Sequence, residues 1–573
     1  MKVLKYFVIG FLLILVSCKT VSNSDQLKAI IEKYEKERKY DFDRFQSVEN
    51  TTKYYQAEAD FSETLKKELE KVPIEGLSET EEISRELLLF VLQDKIDTNT
   101  YKMYLNTITN ENAFHLSLNS IAKRTFKNKK EIIAYLEQLA KLPQRIDYNL
   151  DILRETIKEG ITQPNVIFHN YDTTYGKHIV SEVTTSDFYK PFKILPKSLS
   201  SAVKDSIIGV AKKSIQENVV QQYKKIKSFF EEEYFPNTRK GLGISTVPNG
   251  KEFYQNRVNY YTTSTKYTAE DIHKIGLKEV ARIKAEMQTI IDELEFKGSF
   301  VDFLEFLRTD KQFYPKTGKE LLMFARDISK RIDAELPKFF KTLPRKPYGV
   351  VPVPDELAPN YTGGRYSGSN SETTAGFYWV NTYNLPSRTL YTIPALTAHE
   401  AVPGHHLQIS LNNELPETIP AFRRRLYLSA YGEGWGLYAE YLVDEMNIYT
   451  TPYEKFGQLT YEMWRACRLV VDTGVHTKNW TRQQVLDYMV ENTALSIHEV
   501  TTETDRYISW PAQALSYKIG EIKIRELRKK AETELKDKFD IRMFHEIILE
   551  QGTVTLPILE RRVHNYINKI KNE

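Results

Sequence analysis

The chain has 573 residues, 41% hydrophobic and 27% charged, an ordinary globular composition with material for one very large domain or two or three packed subdomains. Its 80 basic and 77 acidic residues are spread along the length and leave a formal net charge of +3. That balance excludes an electrostatic case for nucleic acid as a partner.

Residues 1–18, "MKVLKYFVIGFLLILVSC", place Lys2 and Lys5 before an apolar run from Tyr6 to Val16 that is too short to span a bilayer as a folded anchor. The pattern predicts an export signal, and its end, "LVSC", resembles the bacterial lipoprotein box, in which the cysteine becomes the lipidated first residue. Cys18 is therefore the expected lipidation site. The expected location is the bacterial cell envelope, lipid-anchored and facing the periplasm or the cell exterior. Only Cys467 follows, so no intramolecular disulfide can form in the mature chain, and Cys467 reads as a buried apolar filler. Residues 19–26, "KTVSNSDQ", read as a polar tether, and no later segment is long and apolar enough to cross a membrane.

From 27 to 240 the apolar residues recur at spacings of three and four, which predicts a helical N-terminal region. It holds His115, His169 and His178 without clustered chemistry and reads as a scaffold. The region 241–573 is the expected catalytic part. Thr268 with Asp271 predicts a helix N-terminus before a long amphipathic segment. The texture then changes: "KPYGVVPVPDELAP" is extended by its prolines, "YTGGRYSGSNSETTAG" reads as a glycine- and serine-rich loop, and "GFYWVNTYN" alternates like a strand. That strand leads into a helix with Pro394 in its first turn, and a substrate backbone could add beside it as a further strand. Everything downstream reads as helix, so the fold expected is mainly α with a small sheet beside the metal helix.

Eleven histidines serve the whole chain, yet His399, His405 and His406 fall within "HEAVPGHHLQ". A regular H-E-x-x-H zinc helix needs a histidine where Pro403 stands. In a straight helix His405 would lie about 600° round and ~9 Å along from His399, and His406 ~10.5 Å along. Two zinc-ligand nitrogens cannot be much more than ~4 Å apart, so a straight helix forbids the site. Pro403 removes a helix donor and Gly404 admits unusual backbone angles, so together they can break the helix. His405 then needs the smaller distortion to reach the place of the missing ligand, beside Glu400. The competing assignment puts His406 on the metal; with His405 as ligand, His406 becomes a substrate contact.

A third ligand is available in "YGEGWGLYAE", where Glu433 and Glu440 lie two turns apart on one helical face. Gly432, Gly434 and Gly436 are costly inside a helix, and close approach of this backbone to the metal helix would explain them. Glu440 and Asp444 read as carboxylates that orient a ligand histidine. The spacing of Glu433 from His405 resembles that in thermolysin-like and oligopeptidase-like metallopeptidases.

Together "HEAVPGHHLQ", "YGEGWGLYAE", "RLVVDTGVH" and "DRYISWPAQALSYKIG", with "VPNGKEFY" and "AEDIHKIGLKEVARI" upstream, resemble the large bacterial family called domain of unknown function 885, from about residue 27 to the C-terminus. That family's likeness to gluzincin-type carboxypeptidases and oligopeptidases implies a large helical zinc-peptidase-like fold with a deep channel. It also implies zinc on His399, His405 and Glu433, with Glu400 as catalytic base. Asp472 and His476, four apart on a helix, offer a ligand-orienting carboxylate or an oxyanion donor, with a satisfied structural pair as the alternative. Arg506 offers a grip on a substrate carboxylate, and Tyr507 and Tyr517 offer phenols to an oxyanion. "HEVTTE" at 498–503 has Thr502 in the ligand position and reads as structural. The function expected is an exported, lipid-anchored zinc-dependent peptidase acting on small peptides. Alternatives are a zinc amidase on a non-peptide or cell-wall-derived amide, or a non-catalytic binding lipoprotein. Oligomeric state is not legible.

Overall fold

The computed structural model describes residues 22–37, 47–355, 357–358, 361–369, 371 and 373–573. The expected signal segment, Cys18 and the start of the tether lie outside the described residues. The tether's remainder is not extended: helix Asn23–Glu37 begins inside it, because Leu27, Ile30, Ile31 and Tyr34 recur at helical spacing and are all buried. No helix of the described residues is long and apolar enough to cross a membrane.

The described chain is mainly helical with one small sheet. Helix starts follow side-chain chemistry: Ser78 with Glu81 and Thr268 with Asp271 each form a complete capping box. The core does not divide at residue 240. Leu65, Leu87 and Leu92 of the first helices share one apolar cluster with Trp435, Tyr438 and the C-terminal residues Ile524 to Ile567. The next helical stretch, from Ile108 to Tyr234, shares another with Val280 to Ala325 and Phe456 to Ala514. The expected N-terminal scaffold is thus split between two cores, each completed by residues from the other end of the chain.

Three strands form the sheet: β1 (Tyr348–Pro352), β2 (Gly364–Ser367) and β3 (Gly376–Val380), in the order β1-β3-β2. β3 pairs parallel with β1 and antiparallel with β2. The stretch read as a glycine- and serine-rich loop therefore contains an edge strand. β3, the strand expected to accept a substrate backbone, has both edges occupied; the outer edges of the sheet are those of β1 and β2.

Two close helix crossings set the frame behind the sheet. Helix Ser429–Leu442 packs on helix Leu515–Leu535 through glycines: a Cβ on Gly434 would lie 2.5–2.9 Å from the backbone of Gly520 and Glu521. Helix Ala269–Glu293 meets helix Pro452–Lys478 where Gly276 faces Leu469 and Val470. Buried charges tie three of these helices together. Lys518, fully buried, donates to Glu462 and Glu521 at 2.7 Å each and lies 3.2 Å from Glu279, while Arg282 and Arg525 also reach Glu462. Burial costs Lys518 its charged form, and the three carboxylates outweigh that cost and raise its pKa.

The glycine crossing gives a direct test. Gly434→Ala should destabilise the fold by about 1–3 kcal/mol in chemical unfolding, since both facing surfaces are backbone and cannot yield. Gly209→Ala, at an exposed helical position with nothing within 4 Å of the added methyl, should instead stabilise by up to about 1 kcal/mol.

Candidate metal centre

Helix Ile393–Glu400 carries His399 and Glu400, with Pro394 in its first turn. It ends at Ala401; the Val402–Pro403 peptide is cis, and a new helix, His405–Asn413, starts after Gly404. The chain folds so tightly there that a Cβ on Gly404 would lie 2.0 Å from the His399 carbonyl oxygen and 2.4 Å from that of Ala398. Only glycine fits. Gly404 N–H donates back to the Ala398 carbonyl at 2.9 Å, and the buried Trp435 indole donates to the Pro403 carbonyl at 2.8 Å, so the broken turn keeps its polar groups satisfied.

The break turns His405 back beside His399. Their rings are 4.7 Å apart, centre to centre, at 88°. Nε2 of each lies 3.4 Å from Oε2 of Glu433, and the three donor atoms all lie within 4.8 Å of one another. Ligand atoms on a tetrahedral zinc stand about 3.3–3.5 Å apart, so two imidazole nitrogens and one carboxylate oxygen at this spacing fit such an ion. Behind them Nδ1 of His399 meets Oε1 of Glu440 at 2.7 Å, the arrangement in which a carboxylate fixes the tautomer of a ligand histidine. Burial alone would depress the pKa of His399, but Glu433 and Glu440 outweigh it and raise it to about 10. A Cβ on Gly436 would strike the His399 ring at 2.6–2.9 Å, which accounts for that glycine through close approach to the metal helix.

Glu400 lies beside the cluster, and its Oε2 accepts the backbone N–H of Tyr366 on β2 at 2.7 Å. The outer edge of β2 thus faces this carboxylate. His406 turns away: it is 2% exposed, its Nδ1 meets the Tyr366 hydroxyl at 3.0 Å, and its ring packs on Tyr348. Burial pushes its pKa down to about 4. The role expected for His406 as a substrate contact is corrected: it braces β2 from behind.

Four other expectations need correction. His476 is fully buried, and it accepts the Ile244 N–H on Nδ1 at 3.0 Å and donates from Nε2 to the Tyr507 carbonyl at 3.0 Å, so it has no proton to offer an oxyanion. Asp472 accepts from the Tyr254 hydroxyl and the Ala512 N–H and orients no ligand. Asp444 pairs with Lys455 at 2.7 Å near the surface; the orienting carboxylate is Glu440 alone. Tyr507 is buried, with its hydroxyl accepting from Trp464 and from Arg468 Nε at 2.8 and 2.9 Å, so it supports that arginine rather than facing open space. Arg506 donates to Gln513 at 2.7 Å and reaches the Tyr517 hydroxyl at 3.4 Å, and Arg468 lies over the Tyr517 ring. "HEVTTE" is structural as expected: His498 is exposed, while Glu503 pairs with Arg468 and Arg506.

Some residues at the site carried no legible signal. The Tyr427 hydroxyl donates to Oε1 of Glu433 at 3.0 Å, and its ring sits where a side chain on Gly432 would be. With 36 tyrosines in the chain, nothing singles it out in the sequence. Arg465 lies 3.6 Å from Glu440, and Arg465 Nε, Arg468 Nη1 and Arg506 Nε are buried without an acceptor.

The model of the family described as "Bacterial protein of unknown function (DUF885)" matches residues 41–563. The chain belongs to this family. No curated protein sequence matches significantly. Among solved structures, DUF885 residues here superpose on "the putative lipoprotein from Colwellia psychrerythraea" with a TM-score of 0.84 at 25% identity, covering 96% of this chain and 100% of that one. "A putative lipoprotein of unknown function from Shewanella oneidensis" matches with a TM-score of 0.65 at 16% identity over 95% and 99% of the two chains, a likeness of fold.

Two predictions follow from the geometry of this DUF885 chain. His405→Ala should lose stoichiometric zinc in elemental analysis, Glu440→Gln should weaken zinc about 10–100-fold, and His406→Ala should keep zinc while lowering the melting temperature. Asp472 supplies a pH signature. Burial holds its carboxyl protonated up to about pH 7, while in the unfolded chain it ionises near 3.8. Between those values the folded state binds the extra proton, so this contribution to stability is full below about pH 4 and is lost as pH rises through 7. The melting temperature of Asp472→Asn relative to the parent should therefore rise from pH 5 to pH 8; an unchanged difference contradicts the assignment.

Proposed function

We propose that this protein is a lipid-anchored zinc peptidase of the bacterial cell envelope, acting on small peptides in the manner of a carboxypeptidase or oligopeptidase. The observation that carries the reading is the convergence of His399 Nε2, His405 Nε2 and Glu433 Oε2, with Glu440 behind the first and Glu400 alongside. The fold then belongs with the helical zinc peptidases, and the anchor is the lipid on Cys18. The relatives described as lipoproteins support the anchor, not the chemistry.

His399, His405 and Glu433 would hold the zinc, which would supply Lewis acidity to a water and to the scissile carbonyl. Tyr366 N–H holds one oxygen of Glu400 and leaves Oε1 to take the proton from the attacking water and return it to the departing amide nitrogen. The free edge of β2, next to that carboxylate, suits an extended peptide backbone added as a fourth strand. Tyr427, by exchanging its bond to Glu433 for one to substrate, would donate to the developing oxyanion, and Tyr517 offers a second phenol. Arg506 and Arg468, each with a buried N–H lacking an acceptor, offer two cations to a peptide's terminal carboxylate.

The expected outcome is near-stoichiometric zinc in the purified protein and a Glu400→Gln variant that keeps zinc while hydrolysis falls by about 10²–10⁴. A peptide-library digest with and without chelator reads the activity: stepwise loss of residues from one end, internal cuts, or cleavage of one non-peptide amide class. Folded protein that takes up no zinc overturns the proposal.

A further inference from the structure

An open groove of about 1170 Å³ runs beside the metal centre, larger than an ordinary small-molecule pocket. It touches the centre twice. Gln408, one turn beyond His405 on the same helix, lines it, and so does Tyr427, whose hydroxyl bonds the candidate ligand Glu433. Its other wall is Thr373 to Ala375, the approach to β3.

Among the described residues that line the groove, Arg345, Lys346, Arg424 and Arg425 are cationic and Glu414 is the single carboxylate. Glu414 is already committed: it accepts the backbone N–H groups of Arg345 and Lys346 and lies 3.6 Å from the Arg345 guanidinium. Lys346 Nζ caps the carbonyls of Ser369 and Ser371. Arg424 and Arg425 are the cations left over, and Nε of Arg424 is buried without an acceptor. Gln408 is 5% exposed and its amide makes no well-formed hydrogen bond, the neighbouring Tyr431 hydroxyl being committed to the Ile548 carbonyl at 2.9 Å. A buried amide lacking both bonds is costly unless a ligand supplies them, and a peptide group offers one donor and one acceptor. The chain as a whole is nearly neutral, so this concentration of positive charge is local.

We propose that the groove is a specificity site for acidic peptides, in which Arg424 and Arg425 engage substrate carboxylates and Gln408 pairs with the substrate backbone. This rests on the peptidase reading and narrows its substrate class. The contact with Tyr427 at Glu433 favours a substrate over a membrane surface, since whatever fills the groove sits against the metal centre.

The test compares kcat/KM for three fluorogenic peptides that differ only in bearing Glu, Gln or Lys at the flanking positions. The Glu peptide should exceed the Gln peptide about three- to tenfold at low salt and the Lys peptide should fall below both, with the spread collapsing at about 0.5 M salt. Arg425→Gln, at an exposed position, and Arg424→Gln should each lower the Glu-to-Gln ratio. Equal rates for the three peptides overturn the proposal. Fluorescence anisotropy with the Glu400→Gln protein separates it from the peptidase reading: Glu, Gln and Lys peptides binding in that order, while the parent protein cleaves none of them, defeats the peptidase and leaves the groove assignment standing. Capture by vesicles of anionic phospholipid with no preference among the peptides would assign the groove to a membrane and defeat the proposal.

Discussion

The site depends on one steric constraint, the contact of the Gly404 backbone with the carbonyls of Ala398 and His399. A straight helix carries its residues forward about 1.5 Å each, so histidines six apart cannot share an ion. The chain cancels that advance by ending one helix at Glu400 and starting the next at His405, with the intervening residues folded back on the first helix. The fold-back needs a residue without a side chain at 404, because a Cβ would overlap two carbonyl oxygens. Trp435 then clamps the turn through the Pro403 carbonyl, so the helix bearing Glu433 both closes the break and supplies the third donor.

That double duty explains the glycines of "YGEGWGLYAE". Each faces a different neighbour: Gly432 the Tyr427 ring, Gly434 the backbone of Gly520, and Gly436 the ring of His399. Three glycines weaken a helix by roughly 0.5–1 kcal/mol each relative to alanine, and burial of Trp435, Tyr431 and Tyr438 on the same helix offsets the cost. The result is a backbone close enough to place Glu433 and Glu440 on opposite sides of one imidazole. Such packing also isolates the carboxylates from water, which strengthens their pull on any cation between the histidines.

Much of the fold was legible because helical periodicity and capping chemistry are local. Thr268 with Asp271 and Pro394 sit within one turn of what they control. β2 was not legible, since four residues inside a glycine- and serine-rich stretch become a strand only when β3 offers hydrogen bonds, and β3 offers them only because β1 holds its other edge. The split of the N-terminal helices between two cores was equally hidden, because it is fixed by partners distant in the chain.

At the site the sequence by itself named the candidates. His399 with His405 or His406, and Glu400 beside them, follow from residue chemistry and the geometric impossibility of a straight helix, which are local properties, and Glu433 follows from its spacing downstream. Tertiary structure placed His405 beside His399 and Glu433 and turned His406 away, because His406 has a hydroxyl partner in Tyr366 and an aromatic wall in Tyr348 that no local pattern announces. It likewise sent His476 and Asp472 into structural hydrogen bonds and brought Tyr427 and Arg465 to the centre. Those residues owe their roles to contacts across the fold: a side chain's chemistry is written in the sequence, but its hydrogen-bond partner is chosen by packing.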